Sequence, residues 1–89
     1  MESSEFWRTL FENWPEVIER HGIVISKQGE TIPFVDFLIS GGLLLLERSS
    51  PDAVGSRKVI VAYESIALIK MTTTAELTRF QAMGFQRPL

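Results

Sequence analysis

Thr31-Ile-Pro-Phe-Val-Asp-Phe-Leu-Ile-Ser40 runs into Gly41-Gly42 and then four consecutive leucines, Leu43 to Leu46. After a polar interval the chain resumes as Lys58-Val-Ile-Val-Ala-Tyr-Glu-Ser-Ile-Ala-Leu-Ile-Lys-Met71. These are apolar runs of strand length, separated by Gly, Pro, Ser and Asp. That pattern predicts a strongly bent antiparallel β-meander. Thr31 to Ile39 reads as one strand, with Pro33 near its start where a missing N–H is tolerated. Gly41-Gly42 bends the chain into Leu43 to Arg48. Ser49 to Ser56 is the one long loop, Lys58 to Tyr63 a further strand, and Glu64-Ser65 a short polar break before Ile66 to Met71.

Outward from this stretch, Gly22-Ile-Val-Ile-Ser26 is a β-branched strand, and Lys27-Gln-Gly-Glu30 is a hairpin turn with Gly29 free to take positive φ. The strands therefore number five, within a meander over residues 22–71. Ser3 to His21 is helical by pattern, with Ser3 or Ser4 as cap. Phe6, Leu10 and Trp14 recur at four-residue intervals beside Trp7 and Phe11. Pro15 predicts a kink or two short helices, Asn13 with Glu16 a capping box, and Gly22 the helix stop. Thr73 with Glu76 opens a short C-terminal helix over 73–83, Gly84 stops it, and 84–89 is a tail. The fold class expected is mainly β with α.

The chain has 89 residues, enough for a single domain with one small core. It has no cysteine, which removes disulfides and thiolate metal sites. A formal charge of -2 gives no electrostatic basis for nucleic-acid binding. The acidic start, Met-Glu-Ser-Ser-Glu, lacks the basic region of a secretory signal, and the uncharged run Phe37 to Leu46 is too short to span a bilayer. The expectation is a cytoplasmic protein with no membrane segment and no cofactor or metal.

The order of a helix and five strands, the last two split by a polar break, resembles the Sm-like fold of Sm, LSm and Hfq proteins. Phe34-Val-Asp36 is similar to part of the first Sm motif. Val61-Ala-Tyr63-Glu-Ser-Ile66-Ala-Leu-Ile69 is similar to the second, with Tyr63 on its tyrosine. The resemblance implies a small barrel and edge-to-edge self-association. Glu64 and Ser65 stand where Hfq-like proteins carry lysine and histidine, and a carboxylate there repels phosphate, so RNA binding does not follow.

Among single residues, Asp36 lies between Phe34-Val35 and Phe37-Leu38. Strict alternation puts it with Phe34 and Leu38 on one face, as a buried structural carboxylate that accepts backbone N–H groups. His21, the one histidine, reads as a helix-terminal residue and not as a catalytic base, since no second histidine and no nucleophile with supporting partners accompanies it. Arg48, Arg57 and Lys58 with Glu47 and Asp52 read as a solvated mixed-charge face. Phe6, Trp7, Leu10, Phe11 and Trp14 exceed what one small core requires. They are divided between core and a candidate partner interface. The function expected is a non-enzymatic module acting by protein–protein contact, as a homo-oligomer or with another protein. The alternative is an Sm-like RNA-binding oligomer with Tyr63, Arg57 and Lys58 at its site.

Overall fold

A computed structural model describes residues 3–89; Met1 and Glu2 of the acidic start lie outside them. The fold is mixed α/β: two helical segments and two small antiparallel sheets of three strands each.

The first helix, α1, spans Ser3–Glu12. Ser3 and Ser4 are already within it, so neither caps it. The kink expected at Pro15 is absent, because the helix ends before it. A proline disfavours the helical conformation of the residue before it, here Trp14. Asn13 terminates the helix instead, with both its backbone N–H and its Nδ2 donating to the Thr9 carbonyl at 3.1 and 2.9 Å. Residues 15–21 form a turn and a linker rather than a second helix, and the Asn13–Glu16 capping box does not form. Ile18 N–H donates to the Pro15 carbonyl, and the Ile18 side chain is buried.

Six strands follow: β1 (Gly22–Ser26), β2 (Thr31–Phe34), β3 (Asp36–Ser40), β4 (Leu43–Glu47), β5 (Lys58–Ala62) and β6 (Ile66–Met71). One sheet has the order β2-β1-β6, the other β3-β4-β5. The strand expected over Thr31–Ile39 is thus two strands in different sheets, divided at Val35. Val35 still donates its N–H to the Glu47 carbonyl at 2.8 Å. The division shifts the alternation by one residue, so that Phe34 and Phe37 both point inward. Asp36 is consequently exposed, which corrects its expected burial.

Gly41 takes φ +55° in the two-residue connection between β3 and β4, and Gly29 takes φ +88° between β1 and β2. The loop from β4 to β5 is organised by Asp52, whose Oδ1 accepts from the Val54 and Ser56 N–H groups at 3.0 and 2.8 Å. A 3₁₀ turn, Tyr63–Ser65, joins β5 to β6. A second 3₁₀ segment, Leu77–Met83, stands where an α-helix over 73–83 is expected. Thr73 Oγ1 accepts from Ala75 N–H in a local turn instead of capping a helix, and Gly84 ends the segment at φ +97°.

One core serves both sheets. Val24, Ile32, Phe34 and Ile66 enter it from the first, Phe37, Leu44 and Leu46 from the second, Phe11 from α1 and Tyr63 from the turn. The leucine run is one-sided: Leu44 and Leu46 are fully buried, Leu45 is half-buried and Leu43 is 47% exposed. Four consecutive leucines read as a strand buried on both faces; the structure buries only one.

Gly22 begins β1 rather than stopping a helix. A Cβ there would lie 2.8 Å from the Lys70 carbonyl oxygen and 3.3 Å from the Phe34 ring. That oxygen belongs to the β1–β6 ladder, where Gly22 pairs with Met71. Gly22→Ala is therefore expected to destabilise by about 1–3 kcal/mol. An unchanged thermal midpoint would contradict the close approach of these two strands.

Candidate interaction surface

The antiparallel registers β3–β4 and β4–β5 align outward-pointing residues into a three-by-three grid. One row is charged: Asp36, Glu47, Lys58. The middle row is apolar: Leu38, Leu45, Ile60. The third row is small or apolar: Ser40, Leu43, Ala62. Leu38 and Ile60 are each 67% exposed. The sequence hides this face because nearly every position of β3, β4 and β5 is apolar. Only the register separates Leu44, Leu46, Val59 and Val61, which pack toward the core, from Leu43, Leu45 and Ile60, which do not. The signal available was Lys58 and Glu47 at one end of each strand, which fixes the outward phase.

The charged row is locally neutralised. Lys58 Nζ lies 3.4 Å from a Glu47 carboxylate oxygen. Arg20 Nε donates to Asp36 Oδ1 at 2.7 Å, and Phe37 N–H donates to the same oxygen at 2.8 Å. These two donors, the guanidinium first, hold the Asp36 carboxyl below its ordinary range against a small opposing effect of burial. The Arg20 guanidinium also donates through Nη2 to the Phe37 carbonyl and lies 3.8 Å above the Phe37 ring. A depressed carboxylate stabilises the fold above its unfolded pKa, and that contribution disappears as pH falls through the lowered value. Asp36→Asn should therefore lower stability slightly at neutral pH, with the deficit vanishing in acid; an equal deficit at both pH values would mean the carboxylate charge plays no part.

The aromatic helix is mainly core. Phe11 is 2% exposed, with its ring centroid 5.4 Å from that of Trp14, 5.0 Å from Phe37 and 6.1 Å from Tyr63. Trp7 and Trp14 are half-buried, and their indole N–H groups donate to the Ile66 and Ile18 carbonyls at 3.1 and 3.0 Å. Of the five residues read as a candidate interface, Phe6 alone is largely free, at 60% exposure, with Leu10 half-buried beside it. Both border a groove of about 1040 Å³ between α1 and the C-terminal segment, which Met83 and Phe85 line from the other side.

The three RNA-site candidates do not converge on an open ring. Tyr63 is buried, and its hydroxyl has no hydrogen-bond partner among the described residues. Burial, and secondarily the Glu12 carboxylate, push its pKa up, while Arg8 opposes. A base stacks only on an accessible ring. Lys58 is paired with Glu47, and Arg57 offers its carbonyl to Arg48 N–H.

His21 has a hydroxyl neighbour 51 residues away, a separation that no local pattern reports. Its Nδ1 lies 2.6 Å from Thr72 Oγ1 and its Nε2 lies 3.0 Å from Glu19 Oε2. Thr73 Oγ1 donates to the other Glu19 oxygen at 3.4 Å. This chain of contacts clasps the entry to β1 against the exit from β6. No group of three or more His, Cys, Asp or Glu able to hold a metal ion occurs among the described residues, and no helix there is long and apolar enough to cross a membrane.

No family model, curated protein or solved structure matches this chain.

Proposed function

We propose that this chain is a non-enzymatic, Sm-like small-barrel module that works by protein–protein contact and self-associates. The observation that carries the reading is the uncovered apolar row Leu38–Leu45–Ile60, continued by Leu43, on the outer face of β3-β4-β5. A contiguous apolar patch bordered by charged residues is the usual mark of a contact site. The core shared by both sheets, the Val35–Glu47 hydrogen bond and the short 3₁₀ link between β5 and β6 support the barrel architecture. The RNA-binding alternative has less support: Tyr63 is enclosed and Glu64 carries the wrong charge for phosphate.

Sedimentation equilibrium from low to high micromolar protein tests the reading. The average mass should rise with concentration. A monomer mass throughout removes the self-association, and saturable binding of U-rich or A-rich RNA at low salt would favour the alternative.

A further inference from the structure

We propose that the face of β3-β4-β5 is the contact between two copies of this chain, related by a two-fold axis parallel to β4. The inference rests on the protein-contact reading above and names the partner and the geometry.

A closed pair of identical chains uses one patch twice, so the patch must complement itself. The grid offers two ways of doing this face to face. An axis parallel to β4 exchanges β3 with β5 and keeps each row opposite itself. Leu45 then meets Leu45 and Leu43 meets Leu43 on the axis, and Leu38 meets Ile60 of the second copy. In the charged row Asp36 meets Lys58 of the second copy, twice. Glu47 meets Glu47, each with its own Lys58 3.4 Å away. In the third row Ser40 meets Ala62, and both are small enough to let the sheets approach.

An axis perpendicular to the strands would instead exchange the charged row with the third row. Glu47 would lie on Leu43 and Lys58 on Ala62, and charges buried against apolar groups without partners are strongly disfavoured. The charge pattern therefore selects the axis parallel to β4. The two sheets would pack with strands nearly aligned, as sheet faces commonly do. The apolar part comprises only five side chains per copy (Leu38, Leu43, Leu45, Ile60 and Ala62), which sets the pair at the small, weak end of specific interfaces.

Because the chain lacks cysteine, single-cysteine variants report one position each. A short bismaleimide, with a reach matching the about 10 Å between packed sheets, is applied to protein in the associating range. Leu45→Cys should link to itself and give a covalent dimer without higher species. Leu38→Cys should link poorly alone and efficiently when mixed with Ile60→Cys. Leu68→Cys, exposed on the other sheet, should stay unlinked. In a second measurement, Ile60→Glu should raise the dissociation constant at least about 100-fold by placing an unpaired charge in the contact, with an unchanged circular dichroism spectrum. Wild-type association accompanied by Leu45→Cys linking no better than Leu68→Cys, or by Ile60→Glu associating normally, overturns this geometry and leaves the protein-contact reading standing. A wild-type chain that never associates removes this geometry together with the self-association.

Discussion

Phe11→Ala should destabilise the chain by about 3–5 kcal/mol, the range for emptying a buried aromatic site. The ring is 2% exposed and sits at the centre of the aromatic cluster: near-parallel to Trp14, edge-on to Phe37, and 6.1 and 6.4 Å from the Tyr63 and Phe34 rings. Its removal forfeits the transfer free energy of the ring, the favourable edge and stacking geometries, and the only fully buried anchor of α1. A small domain is held folded by about 5–15 kcal/mol, so the variant should be close to unfolding. Phe6→Ala, in the same helix but 60% exposed, should lie within about 0.5 kcal/mol of wild type. Urea melts followed by circular dichroism decide between them. A near-zero effect of Phe11→Ala would mean that α1 does not pack on the sheets, and would return the whole aromatic stripe to the candidate contact surface.

The second large effect separates neighbours in the leucine run. Leu44→Ala should cost about 2–5 kcal/mol, because its side chain is fully buried between the sheets and leaves a cavity. Leu43→Ala, next in the chain and facing outward, should cost well under about 1 kcal/mol. Leu45→Ala should fall between them for folding while weakening association. Equal costs at Leu43 and Leu44 would restore burial on both sides of β4 and remove the exposed face. Measurements on dilute protein keep association out of the comparison.

Much of the architecture was legible in the chain, for identifiable reasons. The strand content of residues 22–71 follows from β-branched and leucine-rich runs broken by the Gly41-Gly42 pair and polar turns. Gly29 and Gly41 mark two connections because only glycine takes those left-handed conformations easily. The polar break at Glu64-Ser65 is the 3₁₀ turn. What was misread lies where tertiary contacts override local pattern. Pro15 reads as a kink or as the start of a second short helix, yet the helix closes on Asn13 before reaching it. The division at Val35 is invisible to alternation. It depends on a hydrogen bond to Glu47 and on Arg20, sixteen residues away, holding Asp36 outward. Once that one-residue shift is missed, Asp36 is assigned to the core and Leu38 is not seen to be outside it. The same cause conceals the candidate surface, since strands apolar in both phases mark the outer side only through the charges at their ends, Glu47 and Lys58. The residue types of the aromatic helix suit interfaces, but its ring geometry is that of a core.

A dilution series of ¹H–¹⁵N correlation spectra reports each backbone amide and assumes no symmetry. If the outer face of β3-β4-β5 is the contact, concentration-dependent shifts will concentrate in residues 36–47 and 58–62, with β1, β6 and α1 unchanged. Shifts confined to α1 and the C-terminal segment, or none at any concentration, would contradict that assignment.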